Sequence, residues 1–159
     1  MNSFETKKAD AIKRERLAFS RAKGFEKQVE NLNKKKKDVT DAKSRIPSDL
    51  PEEIQEQINE QFKDKEEKLK DASEDVAEKI EEAIADANDA SKDLNDLGKD
   101  LDKQGASLKK LKDVPLVGTF LENKGKQLNK EGKRLNDLSK EAHGYSDRLS
   151  KARNSVLKG

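Results

Sequence analysis

Apolar residues recur in alternating steps of three and four along most of this chain, which is the repeat of helices that pack side by side. The clearest run occupies the last third, where all but two of the repeat positions are apolar. Those positions are Val117, Leu121, Lys124, Leu128, Glu131, Leu135, Leu138, Ala142, Tyr145, Leu149, Ala152 and Val156. A repeat sustained over this length predicts coiled-coil packing.

The other two thirds of the chain carry the same repeat. It runs from Leu69 to Leu111 in the middle and from Ala18 to Ile46 in the first third, and an extra residue between Val76 and Ile80 makes one local eleven-residue step. Such a step relaxes the supercoil locally without breaking the apolar face. The whole pattern therefore predicts three helices with apolar seams.

Two proline-containing segments separate these helices. Pro47 and Pro51 lie in the first segment and Pro115 in the second, and proline disfavours helix at the residue before it while suiting a helix's first turn. We expect helices near 4–45, 51–111 and 115–157, with hairpin turns at 46–50 and 112–115. This predicts an all-α fold, an elongated antiparallel three-helix coiled-coil bundle that forms a single domain over residues 1–159.

Folding the helices back about these turns predicts which residues meet. For helices 2 and 3 the predicted layers include Leu101–Leu128, Leu94–Leu135 and Ile80–Leu149. For helices 1 and 2 they are Val39–Ile58, Val29–Leu69 and Phe25–Ala72. Helix 2 is the longest, so all three helices should overlap only beside roughly residues 70–92. Elsewhere a two-helix seam leaves apolar edges partly wet, and these edges invite a second copy or another helical protein.

Charge is divided into three blocks. Residues 1–48 carry 14 Lys and Arg against 7 Asp and Glu, residues 49–104 carry 8 against 20, and residues 105–159 carry 13 against 6. The net charges are therefore +7, −12 and +7. An acidic segment between two basic ones is expected if helix 2 lies antiparallel to both neighbours.

Composition limits the class of protein further. Only 31% of residues are apolar and 43% are charged, which argues against a compact spherical core. The chain has no cysteine, so it has no disulfides and no thiolate metal ligands. No apolar run approaches the ~20 residues of a membrane span, and the N-terminal residues lack the apolar core of a secretory signal. We expect a cytoplasmic protein, with signal-less export or packaging in a particle left open.

Chemistry-bearing clusters are missing from the sequence pattern. His143 is the only histidine, and it has no second histidine or correctly spaced acid beside it, as a metal site or nucleophile–base pair requires. We therefore interpret His143 as a surface residue. The sequence predicts no catalytic residue, no metal site and no cofactor, so we expect a protein that is not an enzyme.

A basic run provides one candidate binding patch: Lys34, Lys35, Lys36 and Lys37. It could bind phosphate or an anionic membrane surface. Alternatively it is a solvated helix face, with the Lys36 stem along the seam and its amine in water. Nucleic acid is not favoured as a partner, because aromatic residues for base stacking are few.

The second turn, residues 114–121, is the one concentrated apolar patch, and we name it the apolar turn. Its apolar residues are Val114, Leu116, Val117, Phe120 and Leu121. Gly98 and Gly105 precede it and Gly118 and Gly125 follow, so that Gly98 mirrors Gly125 and Gly105 mirrors Gly118. Because glycine costs a helix ~1 kcal/mol against alanine, we expect these glycines either to allow close backbone approach or to form a hinge. Otherwise the turn is a small apolar cap with glycines tolerated on exposed faces.

These patterns predict function only in outline. We expect a non-enzymatic structural or adaptor protein that acts by helix–helix association, as a homo-oligomer or with another helical protein in a larger assembly. One alternative is a membrane-engaging protein that inserts the 114–121 turn, with the glycines as its hinge. Another is an exported or particle-packaged helical protein.

Overall fold

A computed structural model describes residues 3–158 of the chain, which form three helices. Helix α1 is Ser3–Ser44, α2 is Glu52–Lys109 and α3 is Gly118–Lys158, and residues 3–158 contain no strand. The predicted all-α three-helix bundle is therefore confirmed. The largest difference in the bounds is at α3, which begins at Gly118 instead of residue 115 because Leu116 has a φ of 72°, a left-handed conformation outside the helical range.

The start of α2 follows from its sequence. The Pro51 carbonyl accepts hydrogen bonds from the Ile54 and Gln55 N–H groups, both 3.0 Å long. Proline suits this position because a residue at the start of a helix needs no N–H donor. Gln55 then turns back, and its Nε2 donates to the carbonyls of Ser48 and Leu50 over 2.9 Å each. The segment 45–51 is thereby attached to the first turn of α2.

Each helix contributes residues to two compact units. The first unit contains the described residues up to Ser20 together with Ile84–Asp147, and the second contains Arg21–Ala83 with the described residues from Arg148 onward. Within each unit, α2 runs antiparallel to both α1 and α3.

The first unit has an apolar core built from all three helices. Its buried members are Ala11, Leu94, Leu97, Leu101 and Leu135, and its partly buried members are Phe4, Ile12, Leu128 and Leu138. Leu94 shares this cluster with Leu135, and Leu101 shares it with Leu128, so these two predicted α2–α3 layers are confirmed.

The predicted register of α1 against α2 is wrong. In the second unit Val39 lines the same cavity as Leu69, whereas the turn at residue 48 predicts Ile58 as its neighbour. The Lys43 ammonium pairs with Glu66 over 2.7 Å, which agrees with this shifted register. The shift is eleven residues, and it arises because segment 45–51 runs back along α2, held by Gln55, instead of reversing the chain at once.

Candidate interaction surfaces

Small residues bring α2 and α3 into direct backbone contact in the first unit. A Cβ on Gly98 would lie 2.9 Å from the carbonyl oxygen of Gly132, and one on Gly105 would lie 2.6 Å from that of Gly125. The reciprocal distances, from a Cβ on Gly132 or Gly125, are 2.8 and 2.6 Å. No real Cβ contact is this short, so the two helices pack closer than any side chain would allow.

Two serines continue this line by one heptad. Ser139 Oγ donates to the Ser91 carbonyl over 2.6 Å, and Ser91 Oγ donates to the Ser139 carbonyl over 2.8 Å. Each hydroxyl thus has a hydrogen-bond acceptor on the backbone of the facing helix, as a polar group in a packed interface requires. We call the six residues the small-residue seam: Ser91, Gly98, Gly105, Gly125, Gly132 and Ser139.

The mirror relation that the glycine spacing predicts is wrong by one heptad. Gly105 faces Gly125, and Gly98 faces Gly132, so Gly118 has no glycine opposite it. A Cβ on Gly118 would instead overlap the Lys112 carbonyl, which makes this glycine necessary for closing the turn. Close backbone approach is therefore what the structure presents at these positions, and the hinge role stays a prediction.

The apolar turn projects its side chains into solvent. Leu116 is fully exposed at 105%, and it is the one non-glycine residue with positive φ among the described residues. Phe120 is 60% exposed, Val117 is 44% exposed and Val114 is 39% exposed, whereas Leu121 is partly buried. The patch that the sequence predicts is thus present as an exposed apolar surface.

Hydrogen bonds fix this surface in place. The Gly118 N–H donates to the Val114 carbonyl over 2.8 Å, and the Leu121 N–H donates to the Val117 carbonyl over 2.9 Å. Lysines flank the turn on both sides, and the Lys124 ammonium lies 5.6 Å from the centre of the Phe120 ring. The flanking lysines are Lys109, Lys110, Lys112, Lys124 and Lys126.

A second surface lies in the α1–α2 hairpin, at the C-terminal end of α3 and beyond it. No residue from 30 to 72 is fully buried, although its seam contains apolar side chains, and we call this segment the open hairpin. Where α3 ends, a cavity of about 500 Å³ opens among side chains that include Lys36, Val39, Leu69 and Val156. The buried Ser73 hydroxyl also lines the cavity and has no hydrogen-bond partner.

The basic run lies on α1 within the open hairpin. Lys34, Lys35 and Lys37 are exposed, but Lys36 Nζ donates to the Val156 carbonyl over 2.6 Å. The prediction that this amine lies in water is therefore wrong, since a carbonyl at the end of α3 offers a lysine a partner. Burial lowers the pKa of Lys36.

One buried acid, Glu15, was not predicted from the sequence. Glu15 is 5% exposed and lies beside the Glu141 carboxyl and the Tyr145 hydroxyl. Burial first, and then the neighbouring Glu141, raises the pKa of Glu15. The sequence did contain a signal for it, because extending the repeat back from Ala18 by three and four residues gives Glu15 and the buried Ala11.

A different acid on α1 has the opposite environment. Glu26 accepts hydrogen bonds from the Arg148 guanidinium, one of them 3.2 Å long from Nε. The guanidinium lowers the pKa of Glu26. This pair joins α1 to α3 in the second unit.

His143 is exposed, and its Nε2 lies 4.0 Å from Asp147 Oδ2. Across residues 3–158, no group of three or more His, Cys, Asp or Glu side chains is arranged to hold a metal ion. Nothing near His143 adds to the chemistry of the two surfaces.

Comparison of the chain with protein-family models, curated proteins and solved structures finds no match. Among the described helices, none has a stretch long and apolar enough to cross a bilayer. The surfaces themselves therefore carry the functional argument.

Proposed function

We propose that the protein is a non-enzymatic structural or adaptor protein that acts by helix–helix association through the open hairpin. The observation that supports this proposal is the stretch from residue 30 to 72 in which no side chain is fully buried. Half-buried Ile58, Phe62 and Leu69 lie along α2 in this stretch, with Val39 on α1. Two more helices packed on this seam would remove these apolar side chains from water, which is the main driving force for association.

A second copy of the chain is the occupant that the charges favour. Residues 33–45 on the α1 side carry 6 Lys and Arg against 2 Asp, and residues 52–72 on the α2 side carry 4 Lys against 8 Asp and Glu. The two sides therefore have net charges of +4 and −4. A two-fold axis would place the basic side of each copy against the acidic side of the other, as a self-complementary interface requires.

Association can be tested by light scattering on size-exclusion fractions over a wide range of protein concentration. The natural chain should approach a dimer mass as concentration rises, and the Ile58→Glu/Phe62→Glu variant should remain a monomer. To dimerise, the variant would have to bury its two introduced carboxylates on an apolar seam, and burying a charge there is costly. A helical circular dichroism spectrum of the variant verifies that it still folds.

Leu17→Glu is the control, because Leu17 is an apolar residue that is 46% exposed and belongs to the first unit. It should dimerise like the natural chain. A natural chain that stays monomeric at every concentration would contradict the proposal, and so would a loss of dimer in both variants. A complex with a different helical protein, formed by a monomeric chain, would replace the second copy as the occupant.

Cytoplasmic localisation belongs to this proposal as well. Export without a signal and packaging in a particle are the alternatives, and fractionation of the source cells distinguishes them.

A further inference from the structure

The apolar turn has two features that folding does not explain. Leu116 adopts a left-handed conformation, with φ of 72°, that glycine or asparagine adopts at lower cost. Its side chain is also fully exposed, so the residue gains no packing in return. Strained backbone conformations cluster at functional sites, and no packing contact of Leu116 offsets the strain here.

We propose that the apolar turn inserts into the surface of an anionic lipid bilayer, with Leu116 and Phe120 as the inserted side chains. This surface belongs to the first unit and the open hairpin to the second, so the inference does not depend on the proposed dimer. Binding to a bilayer surface strengthens with the apolar area that is buried and with the attraction between basic residues and anionic lipids.

The charges around the turn match an anionic surface. Residues 109–126 carry five lysines against Asp113 and Glu122, a net charge of +3. Lys124 follows Phe120 by one helical turn and lies against its ring. Its ammonium is therefore placed to meet lipid phosphates when the Phe120 ring enters the acyl region.

The form of the surface favours lipid over a protein partner. The side chain of Leu116 projects into solvent from the end of the α2–α3 hairpin, and the backbone of the turn is held by the bonds from Gly118 and Leu121. A projecting apolar turn with basic residues around it needs no complementary pocket to enter a bilayer. A protein that accommodates the turn is the other outcome of the test.

Tryptophan fluorescence provides the direct test, because the chain has no tryptophan of its own. Leu116→Trp should shift its emission to shorter wavelength with vesicles of phosphatidylcholine and phosphatidylglycerol, and not with phosphatidylcholine alone. Leu17→Trp, at another exposed leucine, should show no shift. Binding of Leu116→Trp without a shift would mean adsorption by charge only and would overturn the insertion.

Vesicle flotation of a second variant separates binding from folding. Leu116→Gly/Phe120→Ser should bind anionic vesicles at least about tenfold more weakly, since it loses most of the inserted apolar surface. The glycine also relieves the left-handed strain, so the single variant Leu116→Gly should melt at a higher temperature than the natural chain while binding less.

Three results would overturn the proposal: no binding of the natural chain to anionic vesicles, equal binding of the double variant, or loss of a protein complex instead of vesicle binding. The Ile58→Glu/Phe62→Glu variant separates this proposal from the dimer. It should float with vesicles as the natural chain does, because it leaves the apolar turn intact.

Discussion

Glycines in the same chain have opposite environments at the residue scale. Gly105 lies against the backbone of Gly125, whereas a Cβ on Gly24 would meet no atom within 4 Å. Helix propensity alone favours alanine at both positions. The difference between the two sites therefore isolates close packing from propensity.

Gly105→Ala should lower the free energy of unfolding by about 1–3 kcal/mol, because the added methyl group separates two packed backbones. Gly24→Ala should raise it by ~1 kcal/mol, since only propensity acts there. Urea unfolding followed by circular dichroism measures both changes. Stabilisation by both alanines would contradict the close contact at the small-residue seam.

Glu15 predicts a pH dependence at the same scale. Its pKa is raised in the folded protein by burial and by Glu141, so the folded state holds this proton more tightly than the unfolded chain does. The resulting stability is complete below the unfolded pKa and is lost as pH rises through the folded pKa. At neutral pH the ionised group opposes folding.

Glu15→Gln should therefore be more stable than the natural chain at neutral pH, and the advantage should shrink as the pH falls toward the ordinary pKa of glutamate. Urea unfolding over a pH series measures it. An advantage that stays constant with pH would contradict a raised pKa for Glu15.

Glu26 should behave in the opposite way. Arg148 lowers its pKa, so its contribution is present above the unfolded pKa and is lost as pH falls through the folded pKa. Glu26→Gln should destabilise the protein modestly at neutral pH, because the pair is partly exposed, and should lose this effect in acid. Urea unfolding of this variant over the same pH series provides the check, and destabilisation that persists at the lowest pH would contradict it.

At the scale of helices, the sequence predicted element type, number and one register correctly. The α2–α3 register was predicted correctly because the chain reverses about the predicted turn at 112–115, so that Leu101 and Leu128 fall in one cluster. The α1–α2 register failed because a shift of eleven residues, three helical turns, keeps the same apolar face inward. Only the backbone path of segment 45–51 distinguishes the two registers, and the apolar repeat does not predict that path.

Cross-linking tests the corrected register. The chain has no cysteine, so the pair Val39→Cys/Leu69→Cys can be joined by a short bismaleimide without side reactions. Val39→Cys/Ile58→Cys is the control, because residue 58 is roughly 16 Å from residue 69 along α2. Efficient linkage of the control pair in the monomer fraction, and not of the first, would contradict the register described.

The candidate surfaces were predictable to different degrees. The apolar turn was visible because apolar residues are concentrated there, but the strain at Leu116 depends on one backbone dihedral that no pattern reports. The glycine spacing indicates close packing but does not fix which glycines face each other, because a seven-residue spacing fits several partners equally well. Glu15 was missed because a charged residue at a seam position interrupts the apolar signal.

In the whole molecule, part of the three-block charge pattern corresponds to ion pairs between helices. Basic side chains of α1 and α3 meet acids of α2 in ion pairs that include Arg14–Asp93, Lys43–Glu66 and Arg153–Glu81. Glu26 and Arg148 instead join α1 to α3. Exposed pairs contribute little stability each, so the blocks act chiefly in selecting which helices pair.

Completion of the open hairpin by a second copy can be measured by amide hydrogen exchange at two protein concentrations. At high concentration the amides of residues 30–72 should exchange more slowly than at low concentration, because dimerisation suppresses local opening. Amides of the exposed turn at residues 110–114, outside the open hairpin, should be unaffected because they exchange by local opening. Exchange in residues 30–72 that is the same at both concentrations, across a range in which the dimer is expected to form, would show that no second copy packs on the open hairpin.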